Sequence, residues 1–100
     1  MSLTLTQRNN TKKELQQNLA LTGLSKEQVA SDLNISVTKL DEILNLQVNS
    51  INNPWIVRNY LLKKVKEAGN VPIPFTALKG DYHKYWFLNG DVIDRGIIED

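Results

Sequence analysis

The fold is decided at residues 25–45, which read SKEQVASDLNISVTKLDEILN. Ser25 is followed three residues later by Gln28, a capping-box spacing that predicts the start of a helix. Ser36 is placed to cap a second helix. Between the two helices stands Asn34, a residue that tolerates the left-handed backbone of a sharp turn. This stretch therefore predicts two short helices joined by a tight turn.

The other residues of the same stretch have the spacing of a helix-turn-helix unit. Two short helices that cross closely need a small residue at the contact, and Ala30 provides it. The apolar residues predicted to lock the two helices together are Val29, Leu33, Ile35, Leu40 and Ile43. In a helix-turn-helix, the first helix crosses the DNA backbone and the second lies in the major groove. The spacing predicts this shape for residues 25–45.

The sequence resembles two known protein families. Residues 23–43, GLSKEQVASDLNISVTKLDEI, resemble the lambda-repressor/Cro helix-turn-helix family, which implies a DNA-binding fold. The chain as a whole is similar to a small bacterial family catalogued as domain of unknown function number twenty-three sixteen. The segments that carry this second resemblance are TGLS at 22–25, NPW at 53–55, RNYL at 58–61, PFTALKGDYH at 74–83 and YWFLN at 85–89. It covers nearly the full length and implies no activity or substrate.

The exposed face of the second helix in this pair is expected to contact DNA. The candidate contacts are Ser36, Val37, Thr38, Lys39 and Asn45. The hydroxyl groups would bond bases or phosphates, the valine would touch a thymine methyl group, and the asparagine would pair with adenine. Double-stranded DNA is therefore the expected partner, and non-catalytic transcription regulation is the expected role.

Asp41 and Glu42 lie on the same face and favour a second hypothesis. A helix that enters a groove lined by phosphates gains from cations, so two adjacent carboxylates oppose its entry. Lys39 is the only cation on this face. The alternative is a protein–protein interaction module that retains the helix-turn-helix shape without binding DNA.

A longer helix is predicted before this unit, over about residues 5–22, with Gly23 as its C-terminal stop. Two capping-box spacings compete for its start, Thr4 with Gln7 and Thr11 with Glu14.

Another helix is predicted after the unit, over about residues 54–68. Asn53 is its expected cap, and Pro54 is expected in its first turn. Within it, Arg58 falls among apolar residues, so we expect this side chain to be half-buried and paired with an acid, such as one from the C-terminal tail.

Residues 71–100 are expected to form an irregular aromatic segment that begins with Pro72 and Pro74. Phe75–Lys79 is predicted to form one helical turn. The Asn89-Gly90 pair favours a short β-hairpin between residues 85–88 and 91–94, with a short helix over residues 82–88 as the alternative.

The aromatic residues of this segment allow three interpretations. They cover the open side of the helical core, they form a homodimer interface, or they stack on bases. The predicted fold class is thus mainly α: four to five helices, a lambda-repressor-like helix-turn-helix, and this C-terminal segment with its two alternatives.

Composition limits the remaining possibilities. The chain has 100 residues, which predicts a single domain over residues 1–100, and its formal net charge is +1, with a basic middle and an acidic tail. It has no cysteine, and His83 is its only histidine, so neither a metal site nor a cofactor is expected. The sequence contains no nucleophile motif and no phosphate-binding loop, so we do not expect an enzyme. No signal peptide or membrane span is recognisable, so we expect a cytoplasmic protein without a membrane partner.

Overall fold

A computed structural model describes residues 4–47, 52–78, 88, 90–96 and 98. Within these ranges the chain is mainly helical, as predicted, and contains no β-strand. The helices are α1 (Leu5–Thr22), α2 (Lys26–Asp32), α3 (Val37–Leu44), α4 (Asn52–Glu67) and α5 (Gly90–Arg95).

The earlier of the two predicted starts is the one that α1 uses. The Oγ1 of Thr4 accepts a hydrogen bond of 3.1 Å from the backbone N–H of Gln7, and the side chain of Gln7 accepts one of 2.9 Å from the N–H of Thr4. Thr11, the alternative start, is buried within the helix. Gly23 ends α1 with a φ of 71°. The predicted bounds of 5–22 are therefore confirmed.

Serine side chains begin both α2 and α3, as the sequence predicts. Ser25 Oγ accepts a hydrogen bond of 3.1 Å from the N–H of Gln28, and Ser36 Oγ accepts one of 3.0 Å from the N–H of Lys39. Each bond satisfies one of the N–H groups that the first turn of a helix leaves without a partner.

The turn between α2 and α3 depends on Asn34, which has the predicted left-handed backbone with a φ of 60°. Its N–H donates to the carbonyl of Ser31, and the N–H of Ile35 donates to the carbonyl of Ala30. These two bonds form a Schellman motif, which ends α2 and redirects the chain within two residues.

The start of α4 differs from the prediction. The helix begins at Asn52, so Asn53 is its second residue rather than its cap, and Pro54 is its third. The first four N–H groups of a helix have no partner within it, so proline is tolerated at this position. All residues from Asn52 to Val57 are buried, so the first half of the helix is buried on several sides.

The C-terminal predictions are partly wrong. Residues 75–78 form no helical turn: residues 70–75 have no regular secondary structure, and the chain bends over residues 76–78. Residues 91–94, the expected second strand of the hairpin, lie in α5. Asp91 in the first turn and Arg95 in the last turn both suit the helix dipole. The first strand and the alternative helix fall almost entirely outside the described residues.

The core lies between α1, α3 and α4 and is closed by the C-terminal residues. Side chains without any exposed surface include Leu15, Leu40, Ile43, Leu44, Val57 and Leu61. We call residues 70–78 the strap, since this segment without regular secondary structure brings Phe75 and Leu78 onto the core. Leu33 and Ile35, two of the predicted locking residues, are only partly buried at its edge, whereas Val29 is fully buried. None of the described helices is both long and apolar enough to cross a membrane.

Candidate functional site

The candidate site is α3 with its two caps, which carries all five predicted contact residues, although Val37 packs against the core and is not directed to solvent. Ser36 is the N-cap of the helix and Asn45 its C-cap. Ser36, Thr38 and Asn45 are exposed, whereas Val37 and Lys39 are half-buried. The opposite face carries Leu40, Ile43 and Leu44 into the core. Since the core uses only one side of α3, the other side remains available to a partner.

Two of the five residues also bond to the backbone of α3. The Oγ of Ser36 accepts the cap bond from Lys39, and its hydroxyl proton remains available to an acceptor. The Nδ2 of Asn45 donates to the carbonyl of Asp41 at 2.9 Å. A bidentate pair with adenine needs one amide N–H and Oδ1, and because the amide nitrogen carries two N–H groups, the bond to Asp41 leaves one of them available.

Asp41 forms an ion pair that could not be predicted from the sequence. Its Oδ1 lies 2.8 Å from the Nζ of Lys26, at the start of α2, and both side chains remain partly exposed. The pair links the two helices of the predicted unit. It also neutralises the charge of Asp41, one of the two carboxylates that we expected to disfavour DNA binding.

Glu42 is exposed, and in the described part of the chain its carboxylate forms no ion pair. We call the outer surface of α2 and α3 the α2–α3 face; it carries two cations against four carboxylates and therefore a formal charge of −2, the residues being Lys26, Lys39, Glu27, Asp32, Asp41 and Glu42. This face therefore differs from the cationic surface that typically attracts nucleic acid.

Arg8 connects α1 to the end of α3. Its Nη2 donates to the carbonyl of Leu46 at 3.2 Å. Leu46 is buried and has a φ of 58°, an uncommon conformation for a non-glycine residue. A guanidinium at this carbonyl also suits the negative end of the helix dipole. The sequence gives no sign of this contact, since the two residues are far apart along the chain.

Tyr60 connects α2 to α4. Its hydroxyl donates to the Oδ2 of Asp32, whose Oδ1 accepts a bond of 2.8 Å from the Nε2 of Gln28. These bonds, the one from Tyr60 above all, hold the pKa of Asp32 below its ordinary value of 3.8. Burial and then the bond to Asp32 raise the pKa of Tyr60 well above its ordinary value of 10.0. The last turn of α2 is thus fixed to the core helix.

Arg58 is half-buried, as predicted. Its Nε donates to the carbonyl of Leu78 at 2.7 Å, and its Nη1 donates to the Oδ1 of Asn59 at 2.7 Å. The guanidinium carbon also lies 5.0 Å from the ring centre of Trp55 and 5.6 Å from that of Phe75. These contacts, together with cation–π attraction, give Arg58 a structural role between α4 and the strap.

In the ranges that the structure describes, no three histidine or acidic side chains lie close enough together to hold a metal ion. His83 lies outside those ranges, and so do the aromatic residues at 82 and 85–87.

Comparison with known proteins shows one similarity. No curated protein and no solved structure matches the chain. One family model matches residues 1–89, and the proteins of that family are described as uncharacterized and conserved in bacteria. Because the match covers most of the chain, this protein belongs to the DUF2316 family.

Proposed function

We propose that the protein is a cytoplasmic transcription regulator that binds double-stranded DNA, with α2 and α3 acting as a helix-turn-helix and α3 lying in the major groove. The observation that carries the proposal is the junction of the two helices. A single left-handed residue, Asn34, ends α2, and Ser36 begins α3 two residues later. This compact junction leaves the outer face of α3 in solvent, where a groove-binding helix needs it.

The ion pair between Lys26 and Asp41 also supports the proposal. A carboxylate that is already paired opposes phosphates less than a free one does, because the two charges nearly cancel at a distance. Lys39 and the hydroxyl of Thr38 then become the polar groups of α3 best suited to DNA. We assign Lys39 to a phosphate and Thr38 to a base edge or phosphate.

The test is to measure binding to random-sequence duplex DNA by fluorescence anisotropy, from about 50 mM to about 200 mM salt. The expected result is an affinity that falls steeply as salt rises. The variant Lys39→Glu should lower the affinity at least about tenfold and reduce the steepness of the salt dependence by about one phosphate contact. Lys66→Glu, which makes the same change of charge on an exposed residue of α4, is the matched control. Absence of binding by folded protein at the lowest salt contradicts the proposal.

A second candidate is a protein-interaction module with the same shape, and two observations favour it. The carboxylate of Glu42 faces solvent, and the α2–α3 face has a formal charge of −2. The variant Glu42→Lys separates the two candidates. If the wild-type protein does not bind DNA and Glu42→Lys does, the helix-turn-helix shape is present but is used for another partner. If neither binds, the geometry of α2 and α3 does not fit the groove.

A further inference from the structure

The charges of α2 do not suit the position that the first helix of a helix-turn-helix takes on DNA. That helix crosses the phosphate backbone. The one cation of α2, Lys26, is already paired with Asp41, and the helix also carries two exposed carboxylates, Glu27 and Asp32. Since carboxylates repel phosphates, a protein with this α2 needs cations from another element to hold the backbone.

The first half of α1 carries three cations, and two of them border the end of α3. In the part of the chain that the structure describes, neither Arg8, Lys12 nor Lys13 forms an ion pair. The bond from Arg8 to the carbonyl of Leu46 places this guanidinium just beyond Asn45, the C-cap of α3. Lys12 follows one turn later on the same face of α1, and both side chains are partly exposed.

The only acidic residue of α1 lies at the other edge of the buried face, where the strap covers it. Glu14 accepts from the N–H of Thr76 at 3.2 Å through Oε1 and from its hydroxyl at 2.9 Å through Oε2. One turn later the fully buried Asn18 donates from Nδ2 to the carbonyl of Ile73 at 3.1 Å, and its Oδ1 accepts from the N–H of Ile73 at 3.0 Å. The strap thus holds this carboxylate away from the two cations beside α3.

The position of Arg8 also suits a phosphate of a duplex that binds α3. This helix has eight residues and is about 12 Å long, close to the width of the major groove, so phosphates lie beyond its ends when it crosses the groove. The C-terminal end of a helix carries a partial negative charge, which a guanidinium beside Leu46 offsets. The bond to Leu46 uses one N–H group of Arg8, and its other N–H groups can bond a phosphate oxygen.

We infer that α1 takes the place of α2 on the DNA backbone, with Arg8 and Lys12 bound to phosphates at the C-terminal end of α3. The inference rests on the proposed function, because it assigns a second group of contacts to the same complex. Lys39 then contacts a phosphate near the start of α3, and the two cations of α1 contact phosphates beyond its end.

The test compares Lys12→Glu with Lys13→Glu in anisotropy titrations with random-sequence duplex DNA. At about 100 mM salt, charges more than about 10 Å apart are largely screened. Lys13 is exposed and lies about 100° further round the helix, so it is the matched control for the same change of charge. Lys12→Glu should lower the affinity at least about tenfold and reduce the salt dependence by about one phosphate contact, whereas Lys13→Glu should lower the affinity less than about threefold. Equal losses overturn the inference, since total charge would then explain both.

Acetylation of lysines in the wild-type protein, measured by mass spectrometry, tests the contact without a substitution. Saturating duplex DNA should protect Lys12 and leave Lys13 as reactive as in the free protein. Equal acetylation of Lys12 with and without the duplex overturns the inference.

The variant Lys39→Glu distinguishes failure of this inference from failure of the proposed function. If Lys39→Glu weakens binding and Lys12→Glu behaves like Lys13→Glu, only the contact by α1 is wrong. If Lys12→Glu weakens binding and Lys39→Glu does not, the contact by α1 is supported and the proposed position of α3 is contradicted. Absence of binding by the folded wild-type protein overturns both.

Discussion

The Nζ of Lys26 lies 2.8 Å from the Oδ1 of Asp41, and this ion pair joins the start of α2 to the middle of α3. Both side chains are more than two-fifths exposed, so solvent screens their attraction. A pair of this kind contributes about 0.2–1 kcal/mol to stability. Its larger effect is on the electrostatic potential of the α2–α3 face, because the two opposite charges largely cancel for a polyanion that approaches this face.

The first prediction concerns Asp41→Asn. The change removes a carboxylate from α3 and frees Lys26 to contact a phosphate. If the protein binds DNA, its affinity at about 50 mM salt should rise about three- to tenfold, and the salt dependence should steepen by about one phosphate contact. Anisotropy titrations at several salt concentrations measure both quantities.

The control for this experiment is Glu67→Gln. Glu67 is paired with Lys64 on α4, 3.2 Å away, so the substitution also removes a carboxylate and frees a lysine. The free energy of unfolding should fall by no more than about 1 kcal/mol in either variant. Equal gains in DNA affinity from both substitutions would show that total charge, and not the α2–α3 face, controls binding.

The second prediction concerns the turn. Asn34 has a left-handed backbone, where a Cβ without a compensating polar group costs about 1 kcal/mol. Asn34→Ala should therefore lower the free energy of unfolding by about that amount, whereas Asn34→Gly should leave it unchanged or raise it slightly. Urea unfolding at one fixed protein concentration compares the three proteins. An alanine variant as stable as the wild type would show that the turn relaxes to another conformation.

The serine caps of α2 and α3 and the turn at Asn34 could be predicted because they depend on residues within a few positions of one another. A serine followed by three helix-forming residues caps its own helix wherever it lies in the fold. The Asn89-Gly90 pair led to a wrong prediction of a β-hairpin because it, too, is only a local signal. It indicates that the chain turns, but it does not determine whether a strand or a helix comes after the turn. The residues from Gly90 to Arg95 form α5.

The contacts that hold the strap could not be predicted, because they join residues 55 and 62 positions apart. One sign was present in the sequence. Glu14 and Asn18 fall at helical spacing on the same face as Leu15 and Leu19, and a polar residue on an apolar face needs a hydrogen-bond partner when it is buried. The sequence does not say that the partner is the backbone of residues 73–76.

The third prediction concerns Asn18→Leu. Leucine has the same branched shape and the same number of side-chain heavy atoms but bonds neither the N–H nor the carbonyl of Ile73, so both groups lose their partner. The free energy of unfolding should fall by about 1–3 kcal/mol, the usual cost of leaving such groups unsatisfied. Gln17→Leu, at the exposed neighbouring position, is the control and should change it by less than about 0.5 kcal/mol. Equal effects at the two positions would mean that the pairing with Ile73 contributes nothing specific.

The fourth prediction concerns Tyr60→Phe and pH. The hydroxyl of Tyr60 lowers the pKa of Asp32, so this bond stabilises the folded state above the ordinary pKa of 3.8, and the contribution is lost as the pH falls through the lowered value. The pKa of Tyr60 is raised, so its contribution to the stability of the folded state is present below pH 10.0 and is lost as the pH rises towards the raised value.

The substitution Tyr60→Phe removes both of these contributions to stability. NMR titration of the Asp32 carboxyl should therefore show a higher pKa in the variant, and its stability should vary less with pH at both extremes. An unchanged Asp32 titration would show that Gln28, and not Tyr60, controls this carboxylate and that the link between α2 and α4 lies elsewhere.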